Sequence, residues 1–186
     1  AVESPEIPSR VVIEPAAPEL TAVAQTFEIL RAATKPIIIA GTQVYWDSAH
    51  IALRELTEQT GIPIFTNGAG RGTLPMTHPN CFKSARSAAL READAIVLLG
   101  TPLDFRLKYG QEGWNPAAKL IQIESDPAEL NHNRQANVAL TANARLVLED
   151  LSEGLQGLRF EDWLQKIQAV EMKKEAEKEK WEKLDE

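Results

Sequence analysis

Ala95-Ile96-Val97-Leu98-Leu99, closed by Gly100-Thr101, decides how this chain is read. Five apolar residues run without a polar interruption and stop at a glycine. Such a run marks a strand buried on both faces, as in parallel sheets covered by helices. The pattern recurs upstream as Pro36-Ile37-Ile38-Ile39-Ala40, ending at Gly41, and as Ile62-Pro63-Ile64-Phe65. Downstream it recurs as Lys119-Leu120-Ile121-Gln122-Ile123-Glu124 and Asn137-Val138-Ala139-Leu140, while Asn80-Cys81-Phe82 adds a very short strand. Between these runs the apolar period becomes helical. One helix carries Leu20, Val23, Phe27, Leu30 and Ala33. A second carries Ile51, Leu53 and Leu56, with Asp47 or Ser48 as N-cap and Gly61 as its stop. A third covers Ser84 to Ala93, and a fourth, about 143–155, carries Leu146, Leu148, Leu151 and Leu155. The alternation predicts an α/β fold, three-layer and Rossmann-like, with about six parallel strands, helices on both faces and right-handed crossovers.

The ends differ from this core. Residues 1–18 are proline-rich and aperiodic and read as an N-terminal linker. Residues 19–157 form the expected Rossmann-like central domain. Residues 158–186 read as a C-terminal linker helix or tail: Phe160, Trp163, Leu164 and Ile167 stand at helical spacing, and a Lys/Glu-rich, mostly solvated stretch follows. A length of 186 residues fits one domain with tails. The net charge of −7 gives no basic footprint, so neither nucleic acid nor an anionic membrane is an expected partner. No apolar run approaches the roughly 18 residues of a membrane span. Cys81 is alone, which rules out an internal disulfide and fits a reducing, cytoplasmic setting.

In an open parallel sheet, ligands bind beyond the carboxyl ends of the strands. Four of those ends carry suitable groups: Gly41-Thr42, then Gly68-Ala69-Gly70-Arg71-Gly72, then Gly100-Thr101 with Asp104 and Arg106, and then Glu124 with Asp126. The glycines would let backbone approach a bound group, Arg71 and Arg106 would offset phosphate charge, and Glu124 or Asp126 would accept from ribose hydroxyls. The plain alternative is that the glycines serve turns alone and Arg106 merely pairs with Asp104. As a set, the four strand ends favour a nucleotide-like ligand. His50, His78 and His132 lack metal-ligand spacing, and Cys81 has no base beside it, so no metal and no catalytic residue is assigned. P-loop, Gly-x-Ser-x-Gly and His-Glu-x-x-His patterns are missing from the sequence.

Several segments together carry a resemblance. They are Lys35 to Gly41, Gly70-Arg71-Gly72-Thr73-Leu74-Pro75 with His78-Pro79, Ser84 to Leu90, Ala93 to Gly100, Leu103 to Gly110, and Ile121-Gln122-Ile123 with Asp126 to Leu130. In order and spacing they resemble the central domain of thiamine-diphosphate-dependent enzymes of the acetolactate synthase type. They are also similar to 2-hydroxyacyl-CoA lyases and oxalyl-CoA decarboxylases. The resemblance implies a six-stranded parallel sheet whose crevice holds FAD, ADP or part of a CoA nucleotide in some relatives and nothing in others. It also implies that thiamine diphosphate and magnesium belong to two flanking domains. Their Gly-Asp-Gly…Asn motif and activating glutamate are not in this sequence, so the chain reads as a middle domain, non-catalytic on its own. Members that bind FAD or ADP commonly have Gly-Asp after the last strand. Here Thr141-Ala142-Asn143 stands instead, with Asn143 as the group for a base edge. Pro102 replaces an arginine of FAD-binding synthases, so both changes count against FAD. A purely structural module with an empty crevice is the alternative. A free-standing enzyme of the same fold is the third reading, and it lacks a general base at the crevice.

Overall fold

The computed structural model describes residues 14–183. Residues 1–13, most of the expected N-terminal linker, lie outside the described residues. Twelve helices and strands follow in order: α1 (Leu20–Ala32), β1 (Pro36–Ala40), α2 (Thr42–Trp46), α3 (His50–Thr60), β2 (Ile64–Thr66), β3 (Cys81–Phe82), α4 (Arg86–Glu92), β4 (Ala95–Leu99), β5 (Lys119–Glu124), β6 (Val138–Thr141), α5 (Ala144–Gly154) and α6 (Glu161–Glu182).

The six strands form one sheet in the order β3-β2-β1-β4-β5-β6, and every pairing is parallel. Each residue of β1 and β4 is buried, as their unbroken apolar runs require. Their register sets Ile37 beside Ile96 and Ile39 beside Leu98. The three-layer α/β architecture with helices on both faces is thus established. Helices α1 and α3 both pack on α5, and α4 lies in the crossover from β3 to β4. Asp94 secures the amino end of the central strands: its carboxylate accepts from the backbone N–H groups of Thr34 and Lys35 at 2.8 and 2.9 Å, and Lys119 N–H donates to its carbonyl at 2.8 Å.

Some local expectations are corrected. Neither Asp47 nor Ser48 caps α3; the N-cap is Ala49, and a short helix, α2, precedes it. Asp47 instead accepts from the Ala144 N–H and from the Gln43 amide. Ile51 is 51% exposed, and Ala52, Leu53 and Leu56 form the inner face of α3. In α5 the inner face is Ala144, Val147, Leu148 and Leu151, so Leu146 is only half-buried. The second strand begins at Ile64 rather than Ile62, because Pro63 has no N–H to give a ladder. Asn143 caps α5 through its side chain. The tail is a 22-residue helix whose first half is docked: Phe160, Trp163 and Ile167 join the main hydrophobic core.

Candidate functional site at the carboxyl edge of the sheet

Strand order reverses between β1 and β4, so the chain leaves these two neighbours in opposite directions and opens a crevice at their carboxyl ends. Gly41 and Gly100 meet at this point. Gly41 N–H donates to the Leu99 carbonyl at 2.8 Å and Gln43 N–H to the Gly100 carbonyl at 3.2 Å. A Cβ on Gly41 would stand 2.2 Å from the Gly100 oxygen, and one on Gly100 would stand 2.0 Å from Gln43 Cβ. Gly70 is pressed against β1 in the same way, since a Cβ there would stand 2.4 Å from the Ala40 oxygen. Their small size therefore lets the strand-end loops pack on each other. The N–H groups of Gly68 and Gly70 are likewise bonded internally, to Asn67.

Polar side chains lock the same rim. Buried Asn67 donates to Thr101 Oγ1 at 3.0 Å, and Thr42 Oγ1 accepts from the Ala69 N–H at 3.3 Å. Gln43, also buried, donates to Asp47 and to the Ala142 carbonyl and accepts from the Ser125 N–H at 2.9 Å. One side chain thereby joins the ends of β1, β5 and β6. Gln43 and Asn67 are not among the residues expected from the sequence. Their only sequence signal is their position beside Gly41-Thr42 and Gly68.

Glu124 closes β5 on this rim and is 8% exposed. Burial raises its pKa to about 7; the charges of Glu129, Asp126 and Asp47 push the same way, and a hydrogen bond from the Thr101 N–H opposes them. Its Oε1 is buried and has no hydrogen-bond partner. Among the described residues, this carboxyl oxygen is the buried side-chain polar atom of the rim left without a partner.

Of the thirteen expected residues, Gly41, Thr42, Gly68, Gly70, Gly100, Thr101 and Glu124 are brought together here. The others stand around them. Asn143 lines a neighbouring cavity of about 560 Å³ with Trp46, Asp47 and Ser125. Its Oδ1 is occupied in capping α5. Asp126 is exposed and caps the turn Pro127–Glu129. Asp104 pairs with Arg106 at 3.2 Å, and Arg106 borders a smaller cavity beside Trp114. Arg71 and Gly72 face a different cavity, next to Phe65 and Phe82.

No cluster of His, Cys, Asp and Glu suited to a metal exists among the described residues. None of their helices is long and apolar enough to cross a membrane. Burial pushes the Cys81 thiol up, with Glu171 adding to the effect, so the thiolate is disfavoured.

Comparison with known proteins follows the same lines. The family described as "Thiamine pyrophosphate enzyme, central domain" matches residues 23–151. The chain is 34% identical over 143 residues to the acetolactate synthase large subunit IlvG of Mycobacterium tuberculosis, covering 77% of this chain and 26% of that protein. It is 34% identical over 138 residues to human 2-hydroxyacyl-CoA lyase 1, covering 74% and 24%. It is 32% identical over 139 residues to oxalyl-CoA decarboxylase of Escherichia coli K12, covering 75% and 23%. The chain thus spans about a quarter of the length of the curated relatives it matches. Its parallel sheet, its switch point between β1 and β4, and this match over residues 23–151 lead to one conclusion: the chain belongs to the thiamine pyrophosphate enzyme central-domain family.

Proposed function

We propose that this chain is the middle domain of a thiamine-diphosphate-dependent carboligase or lyase and that its rim holds an adenine nucleotide without catalysing a reaction itself. The flanking domains would carry thiamine diphosphate and magnesium and make or break a carbon–carbon bond next to a carbonyl. Among the described residues no group of three or more His, Cys, Asp and Glu could hold a metal ion. An adenosine is the group proposed for the rim. The observation that carries this reading is Glu124 Oε1, buried at the rim and lacking a donor. A ribose hydroxyl supplies one, and the cavity bordered by Asn143 and exposed Trp46 beside Ser125 suits the base. The domain boundary at residue 19 belongs to the same proposal, as does a cytoplasmic setting.

The structural alternative is favoured by a specific observation: Gly41, Gly70 and Gly100 are already filled by neighbouring loops. A titration with ADP, CoA and FAD, followed by tryptophan fluorescence and melting temperature, separates the two. A ligand that binds only the native state contributes about 2.7 kcal/mol at a hundred times its Kd, a rise of several degrees. Saturable stabilisation that weakens in Glu124→Gln is the expected result. No shift with any of the three at millimolar concentration leaves the structural module as the function.

A further inference from the structure

A second recognition feature lies along the edge from the β1/β4 switch point, where β2 and β3 end. Arg71, Lys83 and Arg86 line a cavity of about 560 Å³ together with Phe65, Phe82 and Met76, and Thr66 and Gly72 complete its wall. The two phenyl rings pack at 6.1 Å, and Met76 is 52% exposed at the mouth. Three cations converge here in a chain whose net charge is −7. Among the described residues none of the three forms a salt bridge. Glu171 and Glu175 of α6 line the adjoining cavity with Lys83, yet they are occupied elsewhere. Glu171 accepts from the backbone N–H groups of Lys83, Ser84 and Ala85, and Glu175 accepts from the Ser84 hydroxyl.

Like charges held close with no direct ion pair to a carboxylate repel one another, and the repulsion is relieved when an anion enters. Arg86 lies close enough to its neighbour to feel it: burial lowers its proton affinity, and the Arg71 charge acts in the same direction. Gly72 leaves the entrance clear, since a Cβ there would meet nothing within 4 Å. The apolar wall is as much a part of the cavity as the cations, so a bare inorganic ion would leave half of it unused.

We infer that this cavity is a binding site for a phosphate monoester carried on an apolar or aromatic body, separate from the rim around Glu124. The guanidinium groups of Arg71 and Arg86 and the Lys83 ammonium take the dianion, and Phe65, Phe82 and Met76 take the body. The inference does not depend on the nucleotide reading.

Phenyl phosphate is the probe, titrated into the ¹⁵N-labelled 186-residue chain and followed by amide and arginine side-chain resonances. Saturable shifts are expected at Gly72, Lys83 and Arg86, with inorganic phosphate and benzyl alcohol each binding more weakly. Lys83→Gln and Arg86→Gln should each weaken phenyl phosphate at least about fivefold. Glu124→Gln should leave it unchanged, which separates this site from the rim. Arg86 is half-buried, so the exposed Lys83 provides the variant whose folding is not at issue. Absence of saturable shifts at these residues would overturn the inference. So would equal affinity in wild type and the Lys83 variant, or benzyl alcohol binding as tightly as phenyl phosphate.

Discussion

Glu124 is a residue whose burial is costly to the fold and whose unpartnered oxygen is the centre of the proposed nucleotide site. Its carboxyl is buried among Glu129, Asp126 and Asp47, and its pKa of about 7 stands above the ordinary 4.5. Below about pH 4.5 both folded and unfolded chains hold the proton and the residue costs nothing. Between 4.5 and 7 the unfolded chain gives up a proton that the folded chain keeps, so stability falls as pH rises, and above 7 the full penalty is present. Glu124→Gln removes the titration. Its stability relative to wild type should therefore improve by about 2 kcal/mol between pH 5 and pH 8, read from urea midpoints at the two values. A pH-independent difference would mean the carboxyl is ionised at the rim throughout. The sign reverses for a ribose donor: a hydroxyl bonded to Oε1 favours the carboxylate, so nucleotide binding should release a proton near pH 7. The rim glycines are a second residue-scale matter. Gly41→Ala places a methyl 2.2 Å from the Gly100 oxygen, whereas Gly72→Ala meets empty space and suffers only its φ of +90°. Thermal unfolding should rank them accordingly, with about 3 kcal/mol or loss of folding at position 41 and about 1 kcal/mol at position 72.

At the scale of elements, α6 and the β3–α4 turn form one unit although 86 to 91 residues separate the groups that join them. Glu171 gathers the N–H groups of Lys83, Ser84 and Ala85 at 3.1, 2.9 and 2.6 Å, and Lys174 returns a bond to the Ser84 carbonyl at 2.9 Å. A carboxylate that serves three amides leaves all three unpaired when it is removed. Glu171→Ala should cost about 2 kcal/mol in urea unfolding, and Glu171→Gln, whose amide oxygen still accepts, distinctly less. Equal stability of the alanine variant and wild type would make the clamp ornamental. This contact also explains what the sequence reading lacked. A Lys/Glu-rich stretch reads as a solvated face because its partners are backbone groups far away in the chain, and no local period signals them. The strands were legible for the opposite reason. Pro36–Ala40, Ala95–Leu99 and Lys119–Glu124 match the sequence expectation end to end, since burial on both faces forces continuous apolar runs. Ile51 misled because α3 turns Ala52 inward in its place.

For the molecule as a whole, the carboxyl edge of the sheet is electrically polarised. Arg71, Lys83 and Arg86 stand at the β2/β3 end, and Glu124, Asp47, Asp126 and Glu129 stand at the β5/β6 end. The sequence placed the strand ends on a common edge but not this division, because its members converge from separate loops. Gly41, Gly70, Gly100 and Glu124 do share that edge, while Arg71, Arg106 and Asp126 spread to either side of it. The extent of the folded unit is the remaining whole-molecule question, and α6 bears on it directly. Phe160, Trp163 and Ile167 are buried in the same core as β1 and β4. Trp163 Nε1 donates to the Pro36 carbonyl at 3.0 Å, and the Phe160 N–H donates to the Thr60 carbonyl at 2.8 Å. Burying three such side chains contributes roughly 1.5–3 kcal/mol each, a sum comparable to the net stability of a domain. A chain ending at Gly157 would expose the surfaces they cover, beside the start of β1. We expect that truncation to lose cooperative urea unfolding, and Trp163→Ala in the full chain to lose about 3–5 kcal/mol with cooperativity kept. A truncated chain that unfolds as one sharp transition at the same midpoint would show that the core closes without α6, and would put the domain boundary at residue 157.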